Sequence, residues 1–302
     1  MLKKNSLNKT LFILIGILII TYVLSFFYSG KKTAEKKEEL TTSLLNPKNI
    51  DKIDSIEINK NDEFIFLQKK DDFWVLLNND NSPVPANSDF VYSFFNDLSQ
   101  IRKLYKITDK LEKNNKFGLQ DENKISIKYT LSDGTFQQLY FGNYDFSLSF
   151  RYFMTGKNLN IYQIDNSFEK YLNINIQNWA DPYIVSKSIM KRLSSENVQR
   201  VIFNQNGESK KISDNSKLFS TLLELRHGGI GQRNEINEKN RLLTVKIEAG
   251  DKTEVLLEFF PSISNENNFI IRTTYSLDLK RNYLFYTKIS IMTYNNIKEM
   301  ML

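Results

Sequence analysis

From Leu11 to Tyr28 the chain reads LFILIGILIITYVLSFFY, eighteen residues without a charge. Wound as a helix at about 1.5 Å per residue, the run would reach roughly 27 Å, close to the hydrocarbon thickness of a bilayer. It therefore predicts one transmembrane helix at the head of a soluble-looking chain. A cleaved signal would have a shorter apolar core and a small residue near the cut. Here Phe26, Phe27 and Tyr28 precede Ser29 and Gly30, and a cut after Gly30 would leave bulky Tyr28 in the small-residue position. Those aromatics suit an interfacial belt instead, so a retained anchor is expected. Three basic residues precede the run and four follow it closely, a tally that favours neither orientation. A short N-terminal tail ordinarily stays inside, which would place the C-terminal mass outside the cytoplasm.

The expected division is a basic tail at 1–10, an anchor at 11–28 and a stalk at 29–50. Two units come next, at 51–180 and 181–302. The stalk, charged from Lys31 to Pro47, is expected to be partly helical. Charge sharpens this division. Of the net +6, Lys3, Lys4 and Lys9 supply half, and the stretch 31–39 adds one more. The chain beyond Glu39 carries only +2, too little for a body that binds polyanions by bulk charge. The 22 Phe and 15 Tyr argue for a packed core rather than disorder. With no cysteine, disulfides, thiolate zinc sites, iron–sulfur clusters and thiol nucleophiles are excluded.

Beyond Ile53 the pattern turns to short alternating runs. Ile53, Ile56 and Ile58 open a strand, with Phe64 and Phe66, then Trp74 and Leu76, on its neighbours. The loop NNDNSPVPAN ends them. Asn87 or Ser88 can cap a helix in which Phe90, Val91, Phe94, Phe95, Leu98, Ile101 and Leu104 recur at helical spacing. A hairpin turns at Ser132-Asp133-Gly134, strands continue through Ile164, and Asn166 to Leu172 reads as a short helix.

This order recurs. Val198–Asn204 mirrors Ile53–Asn59, and Asp214–Leu225 supplies the helix after it. Leu243–Ile247 mirrors Ile125–Tyr129, with Gly250-Asp251 standing for Asp133-Gly134. Val255–Phe260 answers Leu139–Phe141, and Phe269–Thr273 answers Phe150–Met154. Tyr283–Tyr286 is matched to Asn160–Ile164, and Ile289–Met300 to Asn166–Leu172. The offset changes from about 145 to 118 because the second half lacks the Trp74 strand and the proline loop. The expected fold class is thus α+β: one transmembrane helix, then antiparallel strands and hairpins packed with a few helices, in two strands–helix–strands–helix units joined through Gln177–Ser195.

The chemistry-bearing residues are few. His227, the only histidine, lies in LRHGGIG; one histidine cannot build a His-paired metal site, and the glycines lack the Gly-Lys-Ser/Thr of a phosphate loop. A flexible turn after the helix accounts for the segment, the alternative being a pocket lip where Arg226 and His227 meet an anion. Asp71-Asp72 and Glu38-Glu39 are carboxylate pairs without the facing placement that glycoside cleavage needs. No G-x-S-x-G elbow is present. Arg151-Tyr152-Phe153 interleaves charge and rings as single-strand nucleic-acid platforms do, but strand alternation explains it. No catalytic, cofactor or metal residue is assigned, and no nucleic-acid partner is expected.

Several short motifs carry a resemblance: Phe73-Trp74, Phe117-Gly118-Leu119, Ile125-Ser-Ile127, Leu139-Tyr-Phe141-Gly142, Arg151-Tyr152-Phe153 and Ile161-Tyr162-Gln163-Ile164. Over Ile53 to Asp181 the chain resembles a bacterial family of unknown function with one N-terminal span. Members of that family are typically encoded beside ABC exporters of the gliding-motility type and called auxiliary components. The resemblance implies a non-enzymatic, extracytoplasmic binding subunit at the inner membrane, partnered by an ABC-type permease or exporter subunit, and transfers no functional residue. A structural or adhesive envelope module is the alternative reading, and a hydrolase stands behind both.

Overall fold

The computed structural model describes residues 14–23, 38–71, 73–77, 83–110, 114–120, 122, 124–157, 160–193, 198–205, 208–212, 217–250, 252–277 and 281–301. Residues 14–23 form helix α1. Among the described residues no helix is long and apolar enough to cross a membrane, so the expected N-terminal span is not supported. The basic tail 1–10, residues 11–13 and 24–28 of the apolar run, and the stalk up to residue 37 lie outside the described residues.

The expected α+β class is also corrected, because antiparallel sheet dominates and the helices are short. The first sheet is assembled from β1 (Glu39–Thr42), β2 (Ile53–Lys60), β3 (Glu63–Lys70), β4 (Phe73–Leu77) and β5 (Pro83–Pro85). After α2 (Ser88–Ser99) come β6 (Arg102–Thr108), α3 (Asn114–Phe117), β7 (Ile125–Leu131), β8 (Phe136–Tyr144), β9 (Phe150–Thr155) and β10 (Ile161–Asp165). A 3-10 turn at Asn166–Tyr171, then α4 (Ile176–Trp179) and α5 (Lys187–Arg192), lead to the second sheet. That sheet holds β11 (Val198–Gln205), β12 (Glu208–Ile212), β13 (Gly229–Ile230), β14 (Leu243–Ala249), β15 (Glu254–Pro261), β16 (Asn268–Leu277) and β17 (Arg281–Ser290). Helix α6 (Lys217–Leu223) precedes β13, and α7 (Ile291–Met301) follows β17.

The sheets share one strand order. The first runs β1-β6-β10-β9-β8-β7-β2-β3-β4-β5 and the second β13-β17-β16-β15-β14-β11-β12. Seven strands correspond, and the first sheet adds β1 beyond β6 and β4–β5 beyond β3. The registers coincide as well: Asn59 faces Ser126 across β2–β7, and Asn204 faces Thr244 across β11–β14. Both first strands carry a bulge at the same point, between Ile53 and Ser55 and between Val198 and Arg200. The extra residue shifts the pleat, so the buried positions run Ile53, Ile56, Ile58 and Val198, Val201, Phe203 rather than strictly alternating. At the last strand the pairing expected from sequence is out of step. Tyr162 faces Phe153 while Thr287 faces Ile271, so Thr287–Ile289, not Tyr283–Tyr286, stands where Tyr162–Ile164 does.

Three local expectations change for identifiable reasons. Helix α2 begins where Asn87 Oδ1 accepts from the Phe90 N–H at 3.2 Å, but it stops at Gln100, short of Ile101 and Leu104. There the Arg102 guanidinium, itself buried, donates back to the Asp97 carbonyl and to Asp165 at 3.1 Å. It caps the helix end and turns the backbone into β6. Leu104 then faces the core from a strand, and Ile101 is exposed. Part of the expected stalk is strand β1, pinned by Glu39 to Lys103 and Glu38 to Lys106, both at 2.9 Å. Asp214, the expected start of the next helix, lies outside the described residues.

Two cores result, and β4 belongs to both. Trp74 and Leu76 point into the first with α2, while Phe73 and Val75 point into the second among Tyr275, Phe285 and their neighbours. Four of the five β4 residues are buried. The family-like glycines also meet. A Cβ on Gly142 would fall 2.1 Å from the Phe117 carbonyl oxygen, and Gly118 holds φ +66 with the Asn143 side chain in the space a Cβ would need. The chain at 117–119 thus crosses β8 closely and places Leu119 against Met154 and Ile161 on the outer face.

Candidate functional site

The residues singled out by sequence are mostly absorbed into structure. The His227 Nε2 stands 2.8 Å from the Asp181 carbonyl oxygen. Since a carbonyl only accepts, Nε2 carries the proton and Nδ1 is left buried without a hydrogen-bond partner. Burial, outweighing the bond to Asp181, lowers the pKa of the ring. Arg226 lies over the Tyr183 ring at 5.1 Å and donates to its hydroxyl at 3.2 Å. The glycines after His227 are not a flexible turn. Gly228 and Gly231 donate to the Lys288 and Tyr286 carbonyls at 2.7 and 2.9 Å, and Gly229–Ile230 is β13. The lip alternative for Arg226 and His227 gives way to a joint between the two sheets.

Sequence reasoning missed the centre of that joint, Asp181. Its carboxylate is buried and accepts from the Tyr183 and Lys187 backbone N–H groups at 3.1 and 3.0 Å. Burial dominates these bonds and pushes its pKa up to about 6. Around it the Asp181 N–H reaches the Pro85 carbonyl, and Ile184 N–H the Leu225 carbonyl. The Tyr275 hydroxyl bridges Ser186 N–H and the Ile184 carbonyl at 3.0 and 2.9 Å. The Asp181 carboxylate and the Tyr275 hydroxyl are thus engaged by backbone groups, and these bonds tie the sheets together.

Three of the four paired carboxylates lie among the described residues. Asp71, at φ 52 in the β3–β4 turn, accepts from the Tyr283 hydroxyl at 2.8 Å, and Asp72 lies outside the described residues. Glu38 and Glu39, at the start of β1, are ion-paired to Lys106 and Lys103 of β6 as described above. Arg151-Tyr152-Phe153 is divided among three sets of contacts. Arg151 pairs with Glu169 at 2.8 Å, Tyr152 packs on Phe117 at 4.5 Å, and Phe153 is buried on Phe141 at 5.2 Å. Among the described residues no three His, Asp or Glu side chains gather as metal ligands.

What the structure does present is a groove of about 1160 Å³ at one end of the first sheet. One wall is the tip of the β2–β3 hairpin, with Lys60, Glu63 and Phe64. The opposite wall is the segment 172–178, which leaves the 3-10 turn and enters α4. Its floor is apolar, from Ile65, Ile125, Leu172 and the half-buried Phe90 ring. Phe90 is held by Tyr171 at 5.0 Å and Trp179 at 4.9 Å. The far wall reads Leu172-Asn-Ile-Asn-Ile-Gln-Asn178, with Asn173, Asn175 and Asn178 exposed and Ile174 and Ile176 half-buried. Local turns fix this wall: Asn173 Oδ1 accepts from Asn175 N–H at 2.9 Å, and Asn175 Oδ1 from Gln177 N–H at 3.0 Å, capping α4. Two of the groove's cations are ion-paired, Arg151 with Glu169 at 2.8 Å and Lys170 with Asp97 at 3.1 Å. The alternation of Asn and Ile over 173–176 was the one signal in the sequence that could have pointed here.

Residues 74–253, more than half of the chain, match the domain of unknown function DUF4340. The chain belongs to the DUF4340 family. The DUF4340 match opens at Trp74 in the shared strand β4, passes through the asparagine wall and the Asp181 joint, and ends at Thr253 between β14 and β15. It therefore covers one wall of the groove and leaves the β2–β3 hairpin outside. No curated protein and no solved structure matches the chain.

Proposed function

We propose that this DUF4340 protein is a non-catalytic auxiliary subunit that binds a protein partner, an ABC-type exporter of the gliding-motility kind, through the first sheet. The observation that carries the reading is the groove: a wide concavity with apolar side chains at its base, an amide-rich wall and two cations already ion-paired, which offers recognition surface. The resemblance over Ile53 to Asp181 supplies the identity of the partner, and that stretch contains the whole groove. An extracytoplasmic position for the body belongs to the same reading. The full chain, tagged and purified from native cells in mild detergent, is expected to bring down a transporter permease subunit. Repeated recovery of none would overturn the assignment. A reporter fused after Leu302 that works only in the cytoplasm would overturn the compartment.

A further inference from the structure

The shared register of the two sheets exposes a chemical difference on their outer faces. Tyr140 faces Met154 across β8–β9, and Glu258 faces Arg272 across β15–β16. These are equivalent positions, because Ser126, which faces Asn59, also faces Tyr140, just as Thr244 joins Asn204 to Glu258. In both halves the segment leading into the next strand crosses this face. In the first it sets Leu119 on Met154, with Tyr140 alongside. In the second it is a strap, residues 232–242, of which only Ile236 is buried, against Phe260, Ile270 and Tyr286. Charge supplies most of the remaining side-chain hold. Glu235 pairs with Lys288 at 2.7 Å and accepts from Ser264 Oγ at 2.9 Å. Glu238 pairs with Arg272, and Arg241 with Glu258 at 2.8 Å. Beneath them Arg272 Nε meets Glu258 at 2.6 Å.

The first half shows that an apolar pair suffices at this position. A nearly buried ion pair adds little net stability over apolar groups of similar size, because desolvation offsets the attraction, yet losing one partner is costly. The exchange of Tyr140–Met154 for Glu258–Arg272 therefore makes attachment depend on charge without strengthening the fold. Local opening begins where buried apolar contact is sparse, and the strap has one such side chain. Burial works against the charged forms of Glu235 and Glu258, but the bonds from Lys288 and Ser264 and from Arg272 and Arg241 outweigh it. Both carboxyls are held below the ordinary 4.5, so their hold is present above that value and is lost as pH falls through the lowered ones. Tyr286 is the other titratable group against the strap.

We infer that residues 232–242 are a charge-operated strap: when its carboxylates are neutralised it opens as a unit and uncovers Phe260, Ile270 and Tyr286, while the sheet beneath stays folded. This device is independent of the transporter assignment.

Hydrogen–deuterium exchange of the full chain, read by mass spectrometry and corrected for intrinsic rates, tests it. The parent is measured at pH 7 and pH 3.5, and Glu235→Gln/Glu238→Gln at pH 7. Peptides covering 232–242 should lose at least tenfold in protection in the parent at pH 3.5 and in the double variant at pH 7, while β15 and β16 keep theirs. The Glu238 side chain is 56% exposed, so Glu238→Gln alone keeps the test sound should the double variant unfold, with a loss of at least threefold expected. The inference is overturned if the folded variants protect the strap as well as the parent does, or if the strap loses protection only together with β15 and β16.

Discussion

Replacing Phe73 by Ala should weaken the second half of the molecule although Phe73 belongs to the first sheet. Its ring is 1% exposed and meets Tyr283, Tyr275 and Phe285 edge-on, with centroids at 4.9, 6.3 and 6.5 Å. Truncating a buried Phe to Ala costs about 3–5 kcal/mol, and three edge-to-face contacts of about 0.5–1.5 kcal/mol each place this site in the upper half of that range. The loss falls on the second core, because Phe73 is part of it while its neighbour Trp74 is part of the first. The protein supplies its own reporter. Its two tryptophans, Trp74 and Trp179, both sit in the first core, so their fluorescence follows that core alone while far-UV circular dichroism follows both sheets. In the parent the two urea transitions should coincide, because the shared strand couples the units. In Phe73→Ala the dichroism transition should move down by roughly 2 M urea, about 4 kcal/mol at a slope near 2 kcal/mol/M, with fluorescence lagging behind it. Coincident transitions displaced by less than about 1 kcal/mol would refute the shared-strand argument.

Other outcomes hang on single sites. Gly142→Ala drives a methyl group into the Phe117 carbonyl, where backbone must move; a loss of about 3 kcal/mol or more is expected in denaturant melts, and an unchanged midpoint would show that the crossing is loose. Asp181 has a folded pKa of about 6 against 3.8, so the folded state prefers the proton: the stabilisation is complete below about 4 and is lost as pH rises through 6. The charged form costs the fold about 3 kcal/mol. After about 1 kcal/mol for an impaired hydrogen bond, a cost present at every pH, Asp181→Asn should gain about 1–2 kcal/mol at pH 8 and lose up to about 1 kcal/mol at pH 4. A variant equally destabilised at both pH values would contradict this. Glu258, buried between Arg272 at 2.6 Å and Arg241 at 2.8 Å, is held below the usual carboxyl pKa by these bonds despite its burial. Its contribution is present above 4.5 and fades as pH falls. Glu258→Gln should therefore cost about 2–3 kcal/mol at pH 7 and progressively less in acid, read from denaturant midpoints across pH.

The local rules of strand and cap were legible in the chain itself. The buried run Ile53, Ile56, Ile58 and its copy Val198, Val201, Phe203 are set by pleat and bulge, and the Asn87 cap by one side-chain oxygen. Such features depend on neighbours in sequence, and a single chain displays them. Tertiary structure decided the rest. Ile101 and Leu104 kept helical spacing, yet Arg102 reaching back to Asp97 gave them to solvent and to a strand. Phe73 and Trp74 look alike in sequence, and only the packing of a second sheet against β4 sends them to different cores. The groove is the clearest case. Its walls come from residues more than a hundred positions apart, the hairpin tip at 60–64 and the asparagines at 173–178. A concavity belongs to neither wall, so the asparagines acquire their meaning only when the sheet brings the hairpin opposite them.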